Sequence, residues 1–199
     1  MSVLGHRRII EAMQCGDPKE RLYISPILDA KQIGDASIDI RLGNDFFTTR
    51  RGNLGVLDPK VRDTQPDRFR NRHRLNTKEP FYLHPNEVAL AGTMEYFRFP
   101  KALSASVTSR SKWGRLGLII ATATAIHPGF KGVITLELVN HGNVPLVLYP
   151  GLLIAQVIFY ETDGATPYDG DLSGKTDAHP SDISKGWQSD MQFWCDGNQ

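Results

Sequence analysis

The run Ser109-Arg110-Ser111-Lys112-Trp113-Gly114-Arg115-Leu116-Gly117-Leu118 crowds three cations and two hydroxyls immediately ahead of an apolar strand. An arginine fork and a lysine ammonium both match phosphate oxygens, and backbone N–H groups at the start of a short helix add a positive dipole end. The pattern predicts a polyphosphate cradle. The competing reading is a solvated basic turn, disfavoured because these cations interrupt a core-like neighbourhood instead of decorating a polar loop. Glu137 is the second candidate, since it stands alone among the apolar residues of Val133 to Val139. Strand alternation puts Val133, Thr135, Glu137 and Val139 on one face and Ile134, Leu136 and Leu138 on the other. Glu137 is then either exposed on a wet face, which strand position alone favours, or held in a pocket where its pKa is tuned for proton transfer.

Other candidates carry less. Gly170 to Thr176 has the flavour of a phosphate-binding P-loop, but it is one residue short, with Asp169 at the first glycine position and no buried strand leading in. The zinc-dependent pattern H-x-E followed by P-C-x-x-C is absent, and His84-Pro85-Asn86-Glu87 has the wrong spacing for it. The arginines at 62, 68, 70, 72 and 74 lie in a polar stretch, Asp58 to Lys78, that reads as a loop between strands; Phe69 is its one interleaved aromatic, so a solvated loop fits better than a nucleic-acid contact.

The elements that must position these residues are mostly strands. His6 to Gln14 sets Ile9, Ile10 and Met13 on one helical face ahead of Gly16, which predicts a short amphipathic helix. Beyond it, Ser37–Leu42, Val88–Thr93, Val133–Val139 and Leu152–Ile158 are short, β-branched runs punctuated by Gly, Pro and Asn, with one helical interruption at Ser109–Arg115. The uncharged run Val144–Tyr160 reads as strand, turn, strand, being shorter than the roughly 20 residues a membrane span needs. A chain of 199 residues with 23 Lys+Arg against 22 Asp+Glu is one globular domain able to bury a core, with no global charge to favour nucleic acid or an acidic membrane. Cys15 and Cys195 write neither a disulfide framework nor a CxxC pair, and the first residues lack the apolar core of a secretory signal, so the expected location is cytoplasmic. The division expected is a β-domain over 1–162 and a Gly-, Asp- and Ser-rich tail over 163–199, carrying Trp187 and Trp194.

Several motifs in register resemble the dCTP deaminase family of the dUTPase superfamily. They are Arg110-Ser111 with Arg115-Leu116-Gly117-Leu118, then Pro128-Gly129-Phe130, Gly132-Val133-Ile134-Thr135-Leu136-Glu137-Leu138 and Pro150-Gly151-Leu152-Leu153-Ile154-Ala155-Gln156, supported by Phe81–Pro85 and Ser37–Gly43. The resemblance implies a distorted β-barrel or jelly-roll subunit, a homotrimer with active sites at subunit interfaces, and zinc-free deamination of dCTP to dUTP and ammonia. It implies that Glu137 takes a proton from the water attacking C4. Ser111 and Arg115 would orient that water and stabilise charge at the base, while Arg110, Lys112 and backbone groups of Trp113 and Gly114 hold phosphates. Thr135 and Leu136 would offer backbone contacts to the base, Gln156 matches a substrate-contacting glutamine, and Tyr168 with Lys175 would close over the nucleotide as a C-terminal lid. Magnesium would ride on the triphosphate of dCTP or dUTP rather than on protein ligands.

The chain departs from the family at four places. His127 stands where an acid is usual; a neutral histidine accepts a hydrogen bond but supplies no negative charge. The run Leu118 to His127 is one residue short, so the Thr-Ala pair lining the base pocket is Thr122-Ala123 or Thr124-Ala125, with Ala123 the preferred base neighbour. Lys112 replaces the usual second serine, and His179 falls where a lid glutamine is expected. The resemblance thus leaves open a bifunctional enzyme that also cleaves dUTP to dUMP, and a nucleotide-binding trimer without activity.

Overall fold

The computed structural model describes residues 2–49, 70–121, 125–163, 174–176 and 178. Helix α1 (His6–Gln14) is followed by strands β1 (Tyr23–Ser25), β2 (Ile38–Thr49), β3 (Arg70–Arg74), β4 (Phe81–Leu83), β5 (Val88–Arg98) and β6 (Leu103–Ser109). A single turn of helix, α2 (Ser111–Gly114), leads to β7 (Leu118–Ile120), β8 (Lys131–Asn140), β9 (Leu146–Leu148) and β10 (Leu153–Glu161). This is the mainly-β, barrel-like architecture expected, with α1 and the single helical turn where the sequence puts them.

The main sheet runs β6-β10-β2-β5-β8-β7, with β1 on β5 and β3 on β2, and β4-β9 form a separate ribbon. A bridge between Ala105 on β6 and Ile126 just after β7 brings the two ends together, so the sheet nearly closes into a barrel. Its interior is lined by alternate residues such as Ile38, Ile40 and Leu42 on β2, Leu136 and Leu138 on β8, and Val157 and Phe159 on β10, all without exposed surface. Phe99 joins Phe97, Phe130 and Phe159 by ring contacts of 5.8–6.4 Å between centroids. Helix α1 buries Ile9 against this core, and the Leu4 N–H donates to Phe159 O at 3.0 Å to fix where the helix begins.

The stretch expected to be a polar loop contains a strand. Arg70–Arg74 pairs antiparallel with the second half of β2, from Asp45↔Arg74 to Thr49↔Arg70. Its alternating Arg, Asn and His offer no apolar period; pairing sets the strand. Arg72 grips Asp45 through two bonds of 2.9 and 2.6 Å and lies over the Phe47 ring, while His73 bonds Thr48 Oγ1 at 2.9 Å. The arginines at 62 and 68 lie outside the described residues.

A charged network is built into the barrel wall. Between Gly92↔Thr135 and Tyr96↔Val133, four steps of β5 run against two of β8, which shifts the register. Thr93 Oγ1 spans the gap: it accepts the Ile134 N–H at 3.0 Å and donates to Glu95 O at 2.7 Å. The Glu95 carboxylate, with no exposed surface, accepts the Arg41 N–H at 2.9 Å and Gln32 Nε2–H at 3.1 Å. Gln32 Nε2 also donates to Asp39 O at 3.1 Å, and Arg41 Nη1 donates to Gly151 O at 2.8 Å. Burial pushes the Glu95 carboxyl up, against the hydrogen bonds and the Arg41 charge, which draw it down. With a raised folded-state pKa the native state binds the extra proton, so its contribution to stability is greatest in acid and declines as pH rises through that value. Removing the carboxylate orphans two buried donors, so Glu95→Ala is expected to lower unfolding free energy by about 2–3 kcal/mol in a urea titration.

Candidate active site

Three contacts fix the cationic turn to the barrel. The Arg110 N–H donates to Ile154 O at 3.2 Å, Trp113 Nε1–H donates to Leu153 O at 2.9 Å, and the half-buried indole packs against the core. Trp113 is therefore an anchor by its side chain, and its backbone N–H is engaged as well, donating to Arg110 O at 2.9 Å. At the exit, Gly117 has φ +87°, and a Cβ there would stand 2.7 Å from Gly142 N, so glycine alone permits the backbone approach that seats the turn on the bend after β8. Ser111, Lys112, Gly114 and Arg115 are exposed around this anchor, with the Lys112 ammonium 5.6 Å from the Trp113 ring centroid. The N–H groups of Ser111 and Lys112 have no intrahelical partner, whereas those of Gly114 and Arg115 donate to Arg110 O at 3.3 Å and Ser111 O at 3.1 Å, and the side chains present an unburied cationic rim suited to an anion.

Arg110 is held differently. Its guanidinium lies 3.2 Å from Asp39 Oδ2, both groups largely buried. Asp39 sits opposite Gln156, and Gln156 opposite Thr108, so one cross-strand row on the outer face of β2, β10 and β6 carries all three. Gln156 Oε1 also accepts from Ser37 Oγ at 3.2 Å. The expected phosphate ligand Arg110 and the expected substrate glutamine Gln156 thus share a polar row, with Asp39 neutralising the arginine. Asp39 was visible only as a lone acid between Ile38 and Ile40.

Glu137 projects from the outer face of β8. Ile134, Leu136 and Leu138 are buried while Thr135, Glu137 and Val139 are half-buried, the alternation expected, and Leu136 can face a ligand only through its backbone. Burial pushes the Glu137 carboxyl up from its ordinary 4.5, and among the described residues no hydrogen bond or cation counters it. The Ala121 N–H donates to Glu137 O at 2.9 Å, and Leu118 pairs with Asn140. The exit of the cationic turn therefore meets β8 three residues beyond Glu137, about 10 Å at strand rise. Buried Asn140 pins that end, its Nδ2 donating to Leu83 O and Val144 O at 2.9 Å. His127 is exposed in the turn between β7 and β8. Ala123 lies outside the described residues, as do Thr122 and Thr124.

Part of the tail docks on the same strand. Lys175 forms a parallel bridge with Gly132; the Gly174 N–H donates to Lys131 O at 2.6 Å and the Val133 N–H to Lys175 O at 3.0 Å. Ala178 is buried against Gly92 and Val133, next to the register shift that Thr93 bridges. Lys175 thus lies on the candidate strand of its own chain. Tyr168 and His179 lie outside the described residues, as do Trp187 and Trp194. Among the described residues no group of three or more His, Cys, Asp or Glu is placed to hold a metal, and no helix is long and apolar enough to cross a membrane. The residues that sequence reasoning missed are Asp39, Asn140 and the Thr93–Glu95 pair.

Comparison with known proteins bears on this arrangement. The dCTP deaminase-like family model matches residues 3–162. A protein of Methanobrevibacter smithii named "dCTP deaminase, dUMP-forming" is 37% identical over 171 residues, covering 84% of this chain and 86% of its own. One of Halorubrum lacusprofundi named "dCTP deaminase" is 35% identical over 201 residues, covering 99% and 97%. The crystal structure of 2′-deoxycytidine 5′-triphosphate deaminase from Agrobacterium tumefaciens matches with TM-score 0.59 at 27% identity, over 79% of this chain and 46% of that longer one.

Proposed function

Because the chain belongs to the dCTP deaminase-like family, we propose that it hydrolyses dCTP to dUTP and ammonia, with Glu137 as the base. Glu137 carries the reading: it is a half-buried carboxylate with no countercharge among the described residues, held above its usual pKa on the outer face of β8. Proton transfer needs a carboxylate of this kind, basic enough to take a proton from water and acidic enough to return it. The water oxygen bonds to C4 of cytosine while Glu137 takes one of its protons and hands it to N3; Glu137 then moves the remaining hydroxyl proton to the amino nitrogen, the C–N bond breaks, ammonia leaves and the oxygen on C4 is left as a carbonyl. Ser111 orients the water and Arg115 stabilises the charge that develops, while Lys112, Arg110 and backbone N–H groups of the turn hold the phosphates. Gln156 and the backbone of Thr135 and Leu136 seat the base and sugar, with Ala123 beside the base and His127 accepting from the sugar hydroxyl. Tyr168, Lys175 and His179 close over the nucleotide. Mg²⁺ is carried by the triphosphate.

The working unit in this reading is a homotrimer with each site shared between neighbours. An apolar row, Val88–Val139–Ile119, lies beside Glu137 across β5, β8 and β7, with Val88 and Ile119 each 47% exposed. A second copy seated there would cover the row, desolvate Glu137 further and bring its own cationic turn. A second reading, dCTP to dUMP, is favoured by the name of the Methanobrevibacter relative and by Gln156; His127 argues against it.

Glu137→Gln is expected to lower dCTP turnover by about 10²- to 10⁴-fold, the range for loss of a general base, with an unchanged circular dichroism spectrum. Retained turnover would overturn the assignment. Since Glu137 must be ionised to act and burial raises its pKa, activity should rise with pH along an acid limb whose midpoint lies above 4.5 in a kcat profile. Mixing Glu137→Gln with Arg115→Ala subunits should restore measurable turnover by forming sites with both native residues; two inactive variants that stay inactive after subunit exchange would contradict a shared site.

A further inference from the structure

The cationic turn is attached to the barrel at both ends. Its entry is fixed to β10 by the Arg110 N–H and the Trp113 indole, which bond Ile154 O and Leu153 O. Its exit rests on the bend after β8: the His141 N–H donates to Gly117 O at 2.8 Å, and a Cβ built at Gly142 would lie 3.1 Å from Leu116 O. Arg115 stands two residues before Gly117, at the exit end. Its orientation toward a substrate therefore depends on where the bend stands.

One buried side chain shapes that bend. Asn140 has no exposed surface, and its carboxamide uses its acceptor and both donors at once. Oδ1 accepts the Gly142 N–H at 2.9 Å, while Nδ2 donates to Val144 O and to Leu83 O of β4, both at 2.9 Å. The first two bonds curl the chain after β8 back on itself, and the third ties it to the β4–β9 ribbon. The backbone of the same residue is held from the other side: its N–H donates to Glu87 O at 3.3 Å, and its carbonyl accepts the Asn86 N–H at 2.8 Å. Only Asn and Gln accept and donate twice from one neutral planar group. An aspartate of the same shape would set a buried charge against two carbonyls, and a glutamine would carry the group one methylene too far. Filling the core at this point would need only an apolar residue; the carboxamide is there to shape the bend under Gly117.

We propose that Asn140 is a positioning residue for the reaction: through the contact of Gly142 with Gly117 it sets where the Arg115 end of the cationic turn stands, without itself touching the nucleotide. The Trp113 anchor holds Arg110 and Lys112 independently, so loss of the carboxamide lets Arg115 shift while the entry end stays in place. A misplacement of about 1 Å, even from a change remote from the chemistry, can cost on the order of 10²-fold in rate. The role in the reaction rests on the deaminase reading given above; the attachment of the turn does not, and the test separates the two.

Two variants reach the contact from opposite ends. Asn140→Ser removes the carboxamide, whereas Gly142→Ala keeps it and crowds Leu116 O and Asn140 Oδ1, each 3.1 Å from the new Cβ. In each variant, amide hydrogen exchange of the full chain without nucleotide, read by mass spectrometry, should quicken about tenfold over residues 113–118 and stay unchanged over 133–138 of β8 and 153–159 of β10. In the same variants kcat for dCTP should fall about 10- to 100-fold with KM changed less than about threefold. The acid limb of the kcat profile should not move, because Glu137 keeps its surroundings. Exchange unchanged over 113–118 would overturn the assignment, as would equal quickening in all three segments, which is what a residue needed only for stability produces. A loosened turn with kcat unchanged would overturn the role in the reaction. Gly142→Ala decides alone where Asn140→Ser does not fold. A wild-type chain that leaves dCTP intact, with variants that still loosen the turn, would overturn the deaminase reading and keep the attachment through Asn140.

Discussion

The hydrogen bond from the Ile134 N–H to Thr93 Oγ1 lets β8 run unbroken past a neighbour with too many residues. Without it the register shift would leave a buried N–H without a partner beside the residues proposed to read the base, at a cost of about 1–3 kcal/mol. Thr93 Oγ1 also donates to Glu95 O, and the Glu95 carboxylate gathers Arg41 and Gln32 from the β2 side of the barrel. One irregularity thus ties three regions together: the strand bearing Glu137, the loop before β2, and the point where Ala178 settles on Gly92. A polar network sealed in the wall is rigid when every member is satisfied. That rigidity holds the outer face of β8 in register.

Charge is distributed on this frame so that each element has one task. The turn proposed to hold phosphate is anchored by the Trp113 indole and by Gly117, which leaves the side chains of Ser111, Lys112 and Arg115 exposed. Arg110 gives up part of its charge to Asp39 and acts as the link between the turn and the Gln156 row. Among the described residues no cation counters Glu137; burial raises its pKa, and the proton transfer proposed for it needs that basicity. An arginine in contact would lower the pKa and remove it.

Two acids in apolar strands show what could be read from residue order. Glu137 and Glu95 give the same signal, a lone carboxylate among apolar neighbours, and parity separates them. Glu95 shares its face with Ala89, Ala91 and Phe97, which are buried, and Glu137 shares its face with half-buried Thr135 and Val139. The strand cores, α1 and the helical turn were legible because their periods are strong. β3 was not, because Arg-Asn-Arg-His-Arg has no apolar alternation and owes its conformation to the ladder with β2. The continuation of β2 through Gly43-Asn44-Asp45 lies beyond the apolar run Ser37–Leu42, at the shift between Leu42↔Thr93 and Phe46↔Ala91 that absorbs the extra residues.

The central claim is that the Glu137 carboxylate drives release of ammonia from dCTP. The most direct measurement follows ammonia and pyrophosphate together from purified protein, dCTP and Mg²⁺, with Glu137→Gln in parallel. The account predicts ammonia matched by dUTP, without pyrophosphate, and its loss in the variant. Ammonia production that survives the substitution, or none from the wild-type chain with dCTP bound, would contradict it.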